Sequence, residues 1–312
     1  MGEKYPALRY SDYMGDGYKN GVWTVECNSW KEFKDTIEKY EKYSYLWRGQ
    51  SCEKQLLPSI YRNHNISEDI NIDKHLNKFK KCMLEAGVLE EFLKSAKNNN
   101  KVEYEKAFRK YCDMINPKED DKDLKDNYEK KFFDDIYWSI GQHHGLETPL
   151  LDWTMDPYKA LFFTFCERKE NDDRRIVYGL AEKSRLLLEN RRPKKRYIEF
   201  LANLDFVKTM LVSSDFNKEI GQMLGRIKAQ EGLFTRTLYK EDIEKHITKC
   251  YNVYKEHRKE EIVFLIKILI PNVIRKDFLE KLEEKKITYK TMYPDLKGAA
   301  LHCNLKFELI AL

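Results

Sequence analysis

The chain has 312 residues, of which 42% are hydrophobic and 35% are charged, so it can bury a full core beneath a surface rich in Lys and Glu. Its formal net charge of +5 permits contact with a polyanion but does not demand it. No apolar run approaches the roughly 20 residues that a membrane-spanning helix needs, which excludes an integral membrane protein of that type.

Seven cysteines are spread along the chain without a C-x-x-C pair or a Cys/His cluster at zinc-ligand spacing. Residues 1–10 lack the apolar segment of a signal peptide. We therefore expect a reduced, cytoplasmic protein without a resident metal and without membrane contact.

The N-terminal part predicts a helix followed by a strand. Ser29 and Glu32 have the spacing of a capping box, and the apolar residues that follow fall on one helical face. The aromatic-rich run 43–49 predicts a strand that ends at Gly49. Arg48 would present a rigid cationic fork there, and the glycine would let a ligand come close. The alternative is that Arg48 pairs with a surface carboxylate.

The middle of the chain is helical by pattern, with apolar residues at helical spacing between about residues 69 and 114 and a polar linker at 116–127. We predict that 1–64 forms the N-terminal part of the core and 65–128 a helical insertion. Residues 129–312 would form the remainder of the core, with a C-terminal sheet and helices. The insertion is the candidate surface for a regulatory partner.

The densest chemistry lies in the run 142–154, which holds two imidazoles, a glycine, two carboxylates and the sequence Leu-Leu-Asp-Trp. Gly145 is expected at a backbone angle that a side chain would disfavour. His143 taken alone is more often a structural histidine than a catalytic one. The density of polar groups in the run as a whole favours one wall of a functional site.

The residues around Asp152 predict its orientation. If Leu151 and Trp153 face the core, the period of two in a strand turns Asp152 to the opposite side. A buried aspartate needs donors or a charge partner, for which Arg48 is the candidate. The alternative is that Asp152 only binds backbone N–H groups.

Later segments complete the predicted fold. Asp156 can cap an apolar helix, 175–180 predicts a strand, and the apolar run 262–270 predicts a central strand covered on both faces. Gln230 and Glu231 lie at a helix-to-strand turn, where Glu231 is either a catalytic carboxylate or an exposed turn residue. Helices interleaved with short strands predict a mixed α/β or an α+β domain.

Two of these blocks resemble the signature of a known family, the FRG domain. Residues 47–50 read Trp-Arg-Gly-Gln, and 142–154 read Gln-His-His-Gly-Leu-Glu-Thr-Pro-Leu-Leu-Asp-Trp-Thr. The blocks at 226–234 and 293–298 are also similar, so the resemblance runs from about residue 28 to residue 305. The family implies a bacterial toxin-like or antiphage-defence protein.

This chain departs from the family pattern beside Asp152. Pro149 stands where the family has an arginine. The loss of that cation leaves Arg48 as the expected counter-charge of Asp152.

More distantly, the order of parts resembles that of ADP-ribosyltransferases. This resemblance implies an α+β fold in which a mixed β-sheet core forms a split sandwich, with NAD as the substrate. Glu231 would stabilise the cationic sugar that forms as nicotinamide leaves, and His143 would orient a ribose hydroxyl. The implied catalytic residues are Arg48, His143, Asp152, Thr154 and Glu231. The implied NAD-binding residues are Arg48, Gly49, Gln142, Gly145, Trp153 and Gln230.

Three functions follow as hypotheses. The first is an NAD-dependent ADP-ribosyltransferase or NAD glycohydrolase that acts on a macromolecular acceptor, either protein or nucleic acid. The second is a nuclease that uses His143, His144 and Asp152, against which the lack of clustered carboxylates counts. The third is a non-catalytic module that senses or binds a phage component.

Overall fold

The computed structural model describes residues 17–39, 45–62, 72–86, 134–168, 174–181, 198–201, 225–237, 240, 242–257 and 262–310. Its strands are β1 (Tyr18–Lys19), β2 (Val22–Glu26), β3 (Tyr45–Gln50), β4 (Leu150–Thr154), β5 (Arg174–Ala181), β6 (Ile198–Leu201), β7 (Gly232–Thr237) and β8 (Leu265–Pro271).

The helices, in chain order, are α1 (Trp30–Glu38), α2 (Ser59–Arg62), α3 (Ile72–Glu85), α4 (134–143), α5 (Pro157–Phe165), α6 (225–230), α7 (Ile243–His257), α8 (Arg275–Glu284), α9 (Tyr289–Met292) and α10 (Leu296–Ile310). A short 3-10 turn, Asn272–Ile274, precedes α8. None of the described helices combines the length and the apolar character that crossing a bilayer requires.

The described strands form one eight-stranded sheet in the order β1-β2-β8-β5-β3-β4-β7-β6. Only β2 and β8 pair in parallel among them, and the other neighbouring strands are antiparallel. The predicted α+β class with a mixed sheet is therefore confirmed. The likeness to a split ADP-ribosyltransferase sandwich stays a prediction.

Strand β8 confirms the prediction drawn from the apolar run 262–270. It lies between β2 and β5, and its side chains are buried on both faces of the sheet, apart from Lys267 and Pro271, which are partly exposed. Because both faces of β8 are covered, this continuous apolar strand loses almost all of its water-accessible surface.

Helix α5 packs across β3, β4 and β5 and against α8. As predicted, Asp156 caps it: one carboxylate oxygen accepts from the N–H groups of Tyr158 at 2.8 Å and Lys159 at 3.4 Å. Its centre is apolar all round, and Leu161 and Phe165 have no accessible surface. Because this buried helix contacts both β3 and β4, it fixes the position of one strand relative to the other.

The start of α1 differs in one detail from the predicted capping box. Ser29 Oγ accepts from Glu32 N at 3.2 Å, as expected. The Glu32 carboxylate, however, accepts from Asn28 N at 2.7 Å, one residue before the cap. The second hydrogen bond of the capping box is therefore made to the N–H of Asn28, where a standard box would use the N–H of Ser29.

Within the predicted insertion, the structure describes only 72–86, where α3 confirms part of the expected helix. Helix α3 lies against α4, with an ion pair between Lys80 and Asp134 and ring contact between His75 and Trp138 at 6.0 Å. The rest of the insertion lies outside the described residues, and the division into three parts stays a prediction.

Candidate active site

A cavity of about 420 Å³ is lined by residues of β3, β4 and β7, of α4, α5 and α6, and by Tyr293, just before α10, and Lys297 at its start. Among the residues predicted as catalytic, Arg48, His143, Asp152 and Thr154 line it. Among those predicted to bind NAD, Gly49, Gln142, Trp153 and Gln230 also line it. Its volume is in the range of small-molecule sites.

Arg48 on β3 forms the charged floor of the cavity. Its Nη1 donates to the main-chain oxygen of Asp152 at 2.8 Å and lies 3.8 Å from the Asp152 carboxylate. Its Nε is buried and has no hydrogen-bond partner among the described residues. Burial lowers the pKa of Arg48, and the charge of Asp152 opposes that shift. Arg48 also lines the cavity, so its positive charge faces a bound ligand.

Gly49, next to Arg48, is required by the helix behind the strand. A Cβ atom at this position would lie 1.9 Å from the main-chain oxygen of Ala160 in α5. The strand also continues one residue beyond the predicted end, to Gln50. The glycine therefore serves the packing of α5 on β3, whereas the sequence predicted close approach of a ligand.

Asp152 projects into the cavity from β4, while its neighbours Leu151 and Trp153 are buried in the core. The cavity leaves 63% of the Asp152 side chain accessible, so the expectation of a buried carboxylate was wrong in that respect. Protein nevertheless surrounds the cavity, and burial raises the pKa of Asp152. Arg48 and a hydrogen bond from Gln142 Nε2 to Oδ1 at 2.6 Å oppose that rise.

Trp153 and Thr154 line the cavity, but their side-chain polar atoms are already hydrogen-bonded within the protein. Trp153 Nε1 donates to Thr235 Oγ1 at 2.9 Å. Thr154 Oγ1 donates to the main-chain oxygen of Gln230 at 2.7 Å and accepts from Asp156 N at 3.1 Å. These bonds join β4 to β7 and to the end of α6, and they shape the cavity wall.

The opposite wall is built from residues that the sequence did not predict as catalytic or NAD-binding. Arg226 Nε donates to Asp295 Oδ2 at 2.6 Å, and its guanidinium stacks 5.3 Å from the centre of the Tyr293 ring. Asp295 also accepts from Gly298 N at 2.9 Å and so caps the start of α10. Lys297 lines the same wall.

The hydrogen bonds that Asp295 accepts determine its charge. Burial raises the pKa of Asp295, but the hydrogen bonds from Gly298 and Arg226 outweigh it and hold the pKa below its usual value. The carboxylate is therefore ionised near neutral pH and keeps Arg226 in place. The similar blocks at 226–234 and 293–298 were the signal in the sequence for this wall.

His143 ends α4 and faces the cavity. Burial, together with the charges of Arg226 and His144, lowers its pKa to about 4, although Asp295 opposes that shift. At neutral pH the imidazole is uncharged, so it can accept a proton or a hydrogen bond on one nitrogen.

Two predicted residues lie outside this lining. The Glu231 carboxylate forms an ion pair with Lys159 Nζ at 2.9 Å, and its residue adopts a left-handed conformation with φ of 48°. Gly145 follows α4 with φ of 91°, as the sequence predicted, and no side chain or backbone lies near the Cβ it lacks. The functional roles assigned to both stay predictions.

The described lining carries three cations, Arg48, Arg226 and Lys297, and one carboxylate, Asp152. Phe163 and Tyr293 add ring surface, with their centres 6.4 Å apart. In the described part of the chain, no group of three His, Cys, Asp or Glu side chains is placed to hold a metal ion. The cavity can thus bind an anionic ligand that also carries an aromatic ring.

Comparison with known proteins agrees with the two signature blocks. No curated protein and no solved structure matches the chain at a significant level. A family model does match: residues 43–173 correspond to the FRG domain, a span that contains both Arg48 and the run 142–154. The cavity floor is therefore part of a recognised family module, and this chain contains an FRG domain.

Proposed function

We propose that this chain is an enzyme that breaks the N-glycosidic bond of NAD and transfers ADP-ribose to a macromolecule or to water. The observation that carries the proposal is the placement of Arg48 beside Asp152 in one cavity of about 420 Å³. A dinucleotide needs cations for its phosphates, and the bond that breaks needs a carboxylate near the sugar.

The cations supply the binding part of this scheme. Arg48 lines the cavity and offers the accessible donors of its guanidinium fork to the diphosphate. Arg226, oriented by Asp295, and Lys297 add positive charge on the opposite wall. Phe163 and Tyr293 supply ring faces against which a base can pack.

The Asp152 carboxylate supplies the catalytic part of the proposed reaction. The bond between the anomeric carbon and the nicotinamide nitrogen breaks, and nicotinamide leaves with the electron pair. Positive charge then develops on the sugar, and the Asp152 carboxylate stabilises it from the cavity wall. An acceptor oxygen or nitrogen bonds to the anomeric carbon and releases its proton. We assign this role to Asp152 in place of Glu231, because Glu231 is paired with Lys159 outside the lining.

His143 supports the same reaction. Its uncharged imidazole faces the cavity, where it can accept a hydrogen bond from a ribose hydroxyl or receive the proton of the acceptor. A charged imidazole beside Arg226 would instead repel the sugar cation. The low pKa of His143 therefore suits a reaction with a cationic transition state.

The biological setting is also a proposal. The resemblance to ADP-ribosyltransferases and the FRG domain support a toxin or antiphage-defence effector that modifies a macromolecule. We place it in the cytoplasm, in line with the cysteines whose side chains the structure describes, all of which are free. The segment 65–128 is the candidate surface for a regulatory partner.

The decisive experiment is incubation of the full chain with NAD, with nicotinamide release measured by chromatography. It is run with protein alone and with cell lysate, RNA or DNA as acceptor. We expect release from the wild type and at least about a hundredfold less from Arg48→Ala, which loses the phosphate cation. Arg174→Ala is the matched control, since Arg174 pairs with Glu26 away from the cavity.

Two results would contradict the proposal. One is the lack of both nicotinamide release and ADP-ribosylated product in every mixture. The other is an Arg48→Ala protein that is folded and fully active. Cleavage of RNA or DNA without NAD would instead favour a nuclease.

A further inference from the structure

Thr148 is a fully buried residue in the loop before β4. It does not line the cavity, but it contacts Gln142, which does. Its Oγ1 accepts from Leu150 N at 3.3 Å and donates to Gln142 Oε1. Gln142 Nε2 in turn donates to Asp152 Oδ1 at 2.6 Å. A chain of hydrogen bonds therefore runs from a buried hydroxyl to the carboxylate.

The donors and acceptors fix the direction of this chain. A main-chain N–H can only donate, so Leu150 occupies an acceptor site of Thr148, and the hydroxyl proton remains for Gln142. Gln142 accepts the hydrogen bond of that hydroxyl at Oε1 and must therefore turn its NH2 group to Asp152. A flipped amide would remove the oxygen that accepts the Thr148 hydrogen bond and would set the Gln142 oxygen against Asp152 Oδ1, which is also an acceptor.

We propose that Thr148 is a positioning residue for the reaction: acting through Gln142, it holds Oδ1 of Asp152 as an acceptor and leaves Oδ2 directed to the ligand. This inference rests on the proposed function, in which Asp152 faces the sugar. The NH2 donor stabilises the carboxylate relative to the carboxylic acid, so Thr148 acts on the protonation of a residue that it does not touch.

Other charges face Asp152 and must be held constant in a test. Arg48 on β3 and Arg62 at the end of α2 favour the carboxylate. Tyr293 faces it from the opposite wall, and its pKa is raised, mainly by burial. His143, Arg226 and Lys297 line the same cavity. A change confined to Thr148 leaves all of these groups in place.

The test is a pH titration of the Asp152 carboxyl carbon by NMR in the ligand-free protein, with the signal assigned by its loss in Asp152→Asn. Thr148→Val keeps the shape of the side chain and removes the hydroxyl, so either amide orientation becomes available to Gln142. We expect the Asp152 midpoint to rise by about one pH unit. Thr148→Ser keeps the hydroxyl and should titrate like the wild type.

Ser59→Ala is the matched control. Ser59 Oγ accepts from Thr148 N at 3.0 Å and donates to Thr148 O at 3.4 Å, so its loss weakens the same loop and leaves the Thr148 hydroxyl intact. We expect a lower melting temperature and an unchanged Asp152 midpoint. A midpoint that moves as far in Ser59→Ala as in Thr148→Val would overturn the proposal.

Gln142→Leu keeps the test decisive if Thr148→Val does not fold, because it removes the amide itself and should raise the Asp152 midpoint at least as far. An unchanged midpoint in the folded variants at both positions would overturn the proposal. The titration contains no NAD, so a lack of nicotinamide release would refute the proposed function without obscuring this result. Where release occurs, Thr148→Val should shift the acidic limb of its pH profile upward by the same amount.

Discussion

Arg48 is bonded to the main chain of Asp152, 2.8 Å from its carbonyl oxygen, and only weakly to its carboxylate, which lies 3.8 Å away. The cation is therefore held in place by an atom that no substitution at position 152 removes. The carboxylate oxygen nearest to Arg48 stays available to the cavity. Binding and chemistry should thus be separable by mutation.

Asp152→Asn should abolish the reaction and keep NAD binding. The amide has nearly the same shape, so Arg48 stays in place, but the negative charge that stabilises the sugar cation is lost. We expect nicotinamide release to fall by about 10²–10³-fold and the dissociation constant of NAD to change by less than about tenfold. Single-turnover rates and calorimetric titration measure the two effects.

Glu231→Gln is the comparison for that variant. Its ion pair with Lys159 is half-exposed, so we expect a loss of less than about 1 kcal/mol in the free energy of unfolding and little change in release. If Glu231→Gln abolishes release and Asp152→Asn does not, the catalytic carboxylate is Glu231, as the sequence first suggested.

Asp295→Asn should loosen the second wall. Asparagine still caps α10, so the substitution isolates the charge that faces Arg226. Both partners of this ion pair are largely buried, and we expect a loss of about 1–3 kcal/mol in the free energy of unfolding by urea. In an Arg226→Met background the same substitution should cost clearly less, and an equal cost would show that the pair does not interact.

The lowered pKa of His143 predicts that the stability of the fold depends on pH. Its pKa is about 4 in the folded chain, below the ordinary value of 6.5. Between these values the unfolded chain binds a proton at His143 and the folded chain does not, so stability is lost as the pH falls through this window. His143→Gln should lose less stability than the wild type between pH 7 and pH 4 in urea titrations. Identical slopes would contradict this assignment, because all other titrating groups are shared.

Gly49→Ala should damage both fold and site. Its Cβ would meet the main-chain oxygen of Ala160, which cannot move without displacing α5. We expect about 2–3 kcal/mol of destabilisation together with weaker NAD binding. Gly145→Ala meets no neighbouring atom and carries only the strain of its φ of 91°, about 1–2 kcal/mol, so its NAD binding should remain. Chemical denaturation and NAD titration of both variants compare them directly.

Patterns along the chain predicted the elements whose environment is local or uniform. The apolar run at β8, the cap at Asp156 and the alternation of Leu151, Asp152 and Trp153 each follow from a periodicity or a spacing. Such signals need no knowledge of distant residues, because burial on one face or on both faces determines which neighbouring positions of an element are apolar.

Pairings between distant segments could not be predicted in this way. Arg226 and Asp295 are 69 positions apart in the chain, and nothing near either residue specifies the other. Glu231 was correctly placed at a turn, but its left-handed backbone and the position of Lys159 decide where its carboxylate lies. The orientation of a turn residue depends on packing that a single sequence does not encode locally.

The pairing of β3 has a consequence for how this module can be divided. Within the span 43–173, β3 and β4 share a single paired position, Trp47 with Thr154, whereas β3 pairs along its whole length with β5, which begins at Arg174. An excised 43–173 fragment would expose strand edges and lose the Arg226 wall. Domain exchange between relatives should therefore carry the C-terminal half along with the signature blocks, since neither half holds a complete pocket.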